Sequence, residues 1–288
     1  MPALPVLALI LAGAIVAIVP VALLAGRRGG RFRALPGWIG AWAQFAVLLV
    51  ILSRATPRLA FPVLGLVMFV ALKQWFFMTP LRAQDRWAIF AAYLAVPLAL
   101  WPAWVGSFDL LSAATGIGLF LLIPILLAIV PRQPGMLDSL GRVLLGVIVY
   151  VFCFSHLGLL THGAAGRLEL FGIVALAADL PQRLTGRLRP GEERARPFLG
   201  VVASVIAAAG AGAALGPLAA ARPLHGAIAG AATALAIAGG SLVSDAVAQD
   251  LSRAASDAMM GRGAFLDRTL PTLYAVPVFY HYFQAVGT

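Results

Sequence analysis

The stretch from Gly239 to Arg268, GGSLVSDAVAQDLSRAASDAMMGRGAFLDR, gathers Asp245, Asp250, Asp257 and Asp267, four of the chain's eleven acidic residues. Carboxylates are hard oxygen donors. A converging pair suits Mg²⁺, which takes one or two protein carboxylates and shares its remaining shell with water and substrate phosphates. Arg262 and Arg268 lie close by in sequence, and a guanidinium grips phosphate oxygens through a planar fork of N–H groups. Asp245 and Asp267 are therefore the candidate metal ligands. Asp250, Arg253 and Asp257 recur at i, i+3 and i+7, which is one face of a helix. The spacing predicts an amphipathic helix on the membrane surface, entered after GGSLVSD, with Gly261 and Gly263 permitting a tight return. It also fits a solvated interfacial helix with ordinary surface charges.

A second polar group lies in FGIVALAADLPQRLTGRL, where Asp179 is followed by Gln182, Arg183, Gly186 and Arg187. Two readings stand: a carboxylate turned into a polar cavity at a membrane rim, or a helix that ends with Asp179 and Pro181 at its boundary. The four histidines show no ligand spacing, and His156, inside an apolar run, suits an interhelical hydrogen bond. The single cysteine, Cys153, excludes a disulfide framework. Trp38, Trp42, Trp75, Trp87, Trp101 and Trp104 fall near the ends of apolar runs, where interfacial anchoring explains them.

The elements that must position these residues are hydrophobic. Of 288 residues 61% are hydrophobic and 11% charged, and the mean hydropathy is +0.95. A soluble chain carries about 25% charged residues. The expected fold class is all-α, a polytopic integral membrane protein with about ten transmembrane helices and a polar site on its cytoplasmic face. The apolar runs predict spans near 3–24, 36–53, 58–78, 87–104, 109–130, 140–161, 168–182, 198–218, 224–244 and 271–286. The first lacks a basic leader and reads as a permanent helix rather than a signal peptide. The seventh is the shortest.

With ten spans, Arg27, Arg28, Arg31, Arg33, Arg82, Arg86, Arg132, Arg142, Arg183, Arg187, Arg189, Arg194, Arg196, Arg253, Arg262 and Arg268 fall on one side. Arg54, Arg58, Arg167 and Arg222 fall on the other. By the positive-inside rule the arginine-rich side is cytoplasmic, which predicts a multi-pass protein of the inner (cytoplasmic) membrane. The net charge of +10 is therefore assigned to the membrane face, not to nucleic acid. Three regions are expected: N-terminal helices over 1–56, central helices over 57–166, and a C-terminal region over 167–288 that holds the polar residues. The segment ASVIAAAGAGAALGPLAAA suits close helix packing in lipid.

The C-terminal stretch resembles the signature of the phosphatidate cytidylyltransferase (CDP-diacylglycerol synthase) family. Ser244-Asp245 matches the family's Gly-Asp, Arg253 its Arg, Asp257 the Asp of Lys-Asp, Gly261 and Gly263 its glycines, and Asp267-Arg268 its Asp-Arg. Upstream, AADLPQRLTGRL is similar to the family's Asp-x-x-Ala/Gln-Tyr-x-x-Gly-Arg through Asp179, Gln182, Gly186 and Arg187. The resemblance covers roughly residues 60–288. It implies an enzyme that transfers a cytidylyl group from CTP to phosphatidate. Asp245 and Asp267 would hold Mg²⁺ and, with Arg268, carry the catalysis. Asp179, Gln182, Gly186, Arg187, Arg253, Asp257, Gly261, Arg262 and Gly263 would line the substrate site. Ser252 and Ser256 replace the signature lysines, Arg262 its His, Ala264 a glycine and Leu270 its last Asp. These replacements raise a second reading, an impaired relative that binds lipid or a partner. A transporter is the third, opposed by the absence of repeats. Pairing with a second copy is left open.

Overall fold

The computed structural model describes residues 35–79, 81–82, 85–129, 135–164, 166–185, 196–254 and 266–287, and Gly13. These are about 91% helical and contain no strand. Nine long helices follow in chain order: α1 (Leu35–Arg54), α2 (Pro57–Met78), α3 (Arg86–Val105), α4 (Phe108–Ile129), α5 (Met136–Leu160), α6 (Arg167–Thr185), α7 (Arg196–Leu215), α8 (Pro223–Ala254) and α9 (Leu266–Ala285). Single π-helical stretches interrupt α4 at Ser112–Leu119 and α5 at Ile148–Cys153.

Local chemistry sets the ends. Thr56 is extended, and Pro57 opens α2 where its missing N–H has no intrahelical acceptor to lose. Gly106, left-handed at φ 77°, closes α3. Ser107 then opens α4, its hydroxyl accepting from the Leu110 N–H.

Among the described residues six helices are long and apolar enough to cross a membrane by length and composition: α2, α3, α4, α5, α7 with the turn after it, and α8. The ten expected spans are not all of this kind. The first lies outside the described residues except Gly13. The apolar part of α1 is shorter, α9, the expected span 271–286, is not among the six, and α6 carries Arg167, Glu169, Asp179 and Arg183. Protein covers α6 instead of lipid. Leu170, Phe171, Val174, Ala175 and Ala178 are fully buried among α1, α7, α8 and α9.

Glycines set the closest approaches. A Cβ on Gly212 of α7 would overlap the Gly226 carbonyl of α8, a Cβ on Gly226 would overlap the Gly212 carbonyl, and Gly230 meets Ala208 in the same way. The small-residue stretch is thus a backbone-to-backbone seam, as close packing in lipid requires. α8 and α9 run antiparallel. Near one end the His225 ring is 2.9 Å from the Tyr282 hydroxyl, and further along Gly240 lies against Pro271. α2 to α5 pack together and reach α9 through α5, while α1 packs on α6 and α9 as well as on α2.

Candidate functional site

The site is built on the α1-facing side of α6. α6 does not stop at Asp179 and Pro181 but runs through the proline to Thr185. Nearby, the Ser204 hydroxyl of α7 donates to the Ala178 carbonyl at 2.6 Å. Asp179 is 2% exposed. A carboxylate buried so deeply is tolerated only when its charge is paired and its oxygens are hydrogen-bonded, and both conditions are met. The indole N–H of Trp38 donates to Oδ2 at 2.6 Å and that of Trp42 at 2.8 Å. Arg183 Nε donates to Oδ1 at 3.0 Å and lies 3.2 Å from Oδ2. The i, i+4 spacing on both helices makes this possible: Trp38 and Trp42 share one face of α1, and Asp179 and Arg183 share one face of α6.

This corrects the reading of the tryptophans. Trp38, Trp42 and Trp75 are buried donors, Trp75 giving its N–H to the Arg142 carbonyl at 2.9 Å. Trp87, Trp101 and Trp104 are exposed, as an anchor must be. The signal for the first two was present in the sequence. Two tryptophans four residues apart put two N–H donors on one helix face, and an aspartate at membrane depth requires donors. With four contacts from three donor groups on its two oxygens, Asp179 is committed to holding α1 and Arg183 in place.

One turn further along α6, Gln182 faces α8, where the Ser241 hydroxyl lies 3.5 Å from Gln182 Oε1. Asp245 is four residues after Ser241, so it occupies the same face of α8 one turn on, and it is exposed. The expected break before Asp245 is absent. α8 is one helix from Pro223 to Ala254, because no proline interrupts it after its first residue and Gly240 fits against α9. A Cβ added to Gly240 would lie 2.8 Å from Pro271 Cα. Asp245 comes about 7.5 Å after that contact along α8, and Asp267 about 6 Å before it along α9. The antiparallel pair therefore carries positions 245 and 267 to the same level. Beside them Ala41, Trp42 and Phe45 of α1 meet Thr269 and Thr272 of α9 in a buried seam with no room for a water molecule. Trp42 is shared by this seam and the Asp179 cluster.

Arg253, Asp267 and Arg268 lie within the helices at this end. Gly186, Arg187, Asp257, Gly261, Arg262 and Gly263 lie outside the described residues. Among the described residues no three His, Cys, Asp or Glu side chains gather as a metal site.

Further polar groups tie the bundle together elsewhere. Asp85, at the α2–α3 turn, accepts from Arg82 at 2.8 Å and from the Ser139 hydroxyl at 2.5 Å. Burial raises its carboxyl, but these hydrogen bonds and the Arg82 charge outweigh burial and hold it below the usual carboxylate value. At the opposite end of the α1–α6 pair, the buried Glu169 lies 3.5 Å from Arg54. His156 is fully buried and donates from Nδ1 to the Phe152 carbonyl of its own helix at 2.8 Å, so the expected interhelical bond is not formed through that nitrogen. His162 does bridge helices, its Nε2 lying 2.9 Å from the Ala103 carbonyl.

No protein-family model matches the chain, and no curated protein matches it.

Proposed function

We propose that the chain is a membrane-embedded nucleotidyltransferase that makes CDP-diacylglycerol and pyrophosphate from CTP and phosphatidate. It would act at the cytoplasmic face of an inner membrane that it crosses ten times. The observation that carries this reading is the common level of Asp245 and Asp267 on α8 and α9, one turn beyond the Gln182–Ser241 contact. The sixteen arginines that ten spans would group on one side add to it.

In the reaction a phosphate oxygen of phosphatidate attacks the α-phosphorus of CTP. The new P–O bond forms as the bond to the β-phosphate oxygen breaks, and pyrophosphate leaves. Such a transfer asks for positioning and charge neutralisation rather than covalent help from the protein. Two aspartate positions at one level, with Asp245 exposed, suit a hard cation. Bound there, Mg²⁺ would offset negative charge across the CTP phosphates. Arg253 and Arg268 belong to the same two helices, and the lipid tails stay in the bilayer.

The test is turnover in phosphatidylcholine nanodiscs holding phosphatidate, with CTP and Mg²⁺. CDP-diacylglycerol should form, should stop when Mg²⁺ is chelated, and should fall by about 10²–10³ in Asp267→Asn. Absence of product from folded wild-type protein would overturn the reading. The second reading, a lipid-binding relative without turnover, draws support from Asp179, whose oxygens are already occupied. Phosphatidate binding without product would select it.

A further inference from the structure

We infer that Arg183 is the docking cation for a phosphate dianion at this end of the bundle, aimed by Asp179 and, through it, by Trp38 and Trp42. The inference deepens the proposed function and rests on that reading for the chemical class of its ligand.

Arg183 touches Asp179 through Nε alone. Among the described residues neither of its terminal amino groups meets an acceptor. A structural ion pair at i, i+4 commonly engages those outer groups. Here the carboxylate grips the inner nitrogen and leaves the outer donors available. The side chain is 24% exposed, whereas its partner is 2% exposed, so the buried partner anchors and the cation reaches outward.

Asp179 has no freedom of its own. The two indoles fix Oδ2, and Asp179 in turn fixes the guanidinium, so the donors are oriented before any ligand arrives. A guanidinium restrained at Nε presents its two terminal nitrogens as an edge that matches two oxygens of one phosphate.

The location suits such a ligand. Arg183 follows Gln182, whose side chain approaches Ser241 one turn before Asp245. A phosphate held by Arg183 therefore lies close to the level of positions 245 and 267. The chemistry recognised is a phosphate dianion, either the phosphatidate head group or the CTP phosphate chain.

The experiment measures binding without turnover. Displacement of a fluorescent phosphatidate in phosphatidylcholine nanodiscs is one arm, and equilibrium dialysis with labelled CTP is the other. The variants are Arg183→Lys, Arg183→Gln and the double variant Trp38→Phe, Trp42→Phe. Arg183→Lys keeps a charge for Asp179 and so preserves the fold, but loses the fork. It should weaken one of the two ligands about 10-fold, and Arg183→Gln about 100-fold. The affected arm identifies which phosphate docks. The tryptophan variant should weaken the same ligand about 3- to 10-fold with the charge intact. Binding of both ligands within about twofold of wild type in Arg183→Lys, at unchanged melting, would overturn the inference. Arg183-dependent binding by a protein that never forms CDP-diacylglycerol would remove the proposed reaction and leave the anion site standing. Turnover and binding both indifferent to Arg183 would do the reverse.

Discussion

Replacing Asp179 by Asn tests the buried cluster directly. The amide has nearly the same shape, but one acceptor oxygen becomes an NH₂ donor and the negative charge is lost. If the amide oxygen takes the place of Oδ2, both indoles keep an acceptor and the NH₂ faces Arg183 Nε, donor against donor. If the amide flips, Trp38 and Trp42 lose the oxygen they share at 2.6 and 2.8 Å. Both orientations strand the Arg183 charge. Breaking a fully buried ion pair costs about 3–5 kcal/mol. Because the Arg183 side chain is 24% exposed, water recovers part of its charge, so the expected loss is about 2–3 kcal/mol. The assay is reversible unfolding in mixed detergent micelles containing sodium dodecyl sulfate, followed by tryptophan fluorescence. The double variant Asp179→Asn, Arg183→Gln should lose less than the sum of the single losses, because no charge is then stranded. Additive losses, or a single-variant loss below about 0.5 kcal/mol, would refute the account of Asp179 as the holder of α1 and Arg183.

Gly212→Ala should destabilise by about 1–3 kcal/mol by pushing α7 from α8. Adding Gly226→Ala should then cost less than it does alone, since one separation relieves both overlaps; the same unfolding assay measures the coupling. Asp85 has a carboxyl held below its ordinary value of 3.8. Its contribution to stability is therefore complete above that pH and lost as pH falls through the lower folded value. Removing the hydroxyl in Ser139→Ala should move the acid-unfolding midpoint to higher pH, and an unchanged midpoint would dismiss the Ser139–Asp85 contact as a stabilising one. Asp245→Asn should raise the Mg²⁺ concentration needed for turnover and leave melting unchanged, since Asp245 is exposed.

Helix positions were legible where punctuation is strong. The expected spans 58–78 and 87–104 differ by a residue or so from Pro57–Met78 and Arg86–Val105, because Pro57, Arg86 and Gly106 mark their ends. α6 was harder to read. Its charges look like a span giving out, yet they are balanced by partners far away in sequence: Trp38 is 141 residues from Asp179, and no local periodicity encodes that pairing. The break expected before Asp245 failed for a related reason. The expected span stops at 244, but Gly240 packs against Pro271 and the helix continues to Ala254. The candidate carboxylates were legible as residue types, whereas their common level depends on where α8 meets α9.

The unbroken length of α8 has a mechanical consequence. Its 32 residues span about 48 Å, well beyond the roughly 30 Å of a hydrocarbon core. The seam at Gly226 and Gly230 pins one part of this rod to α7, and Gly240 against Pro271 pins it again to α9. Asp245 stands about 22 Å from Gly230 and about 7.5 Å past the second contact. A rigid rod held at two places cannot shift at one without straining the other. Bulk added at the seam would thereby strain the packing of α8 on α9 near Asp245.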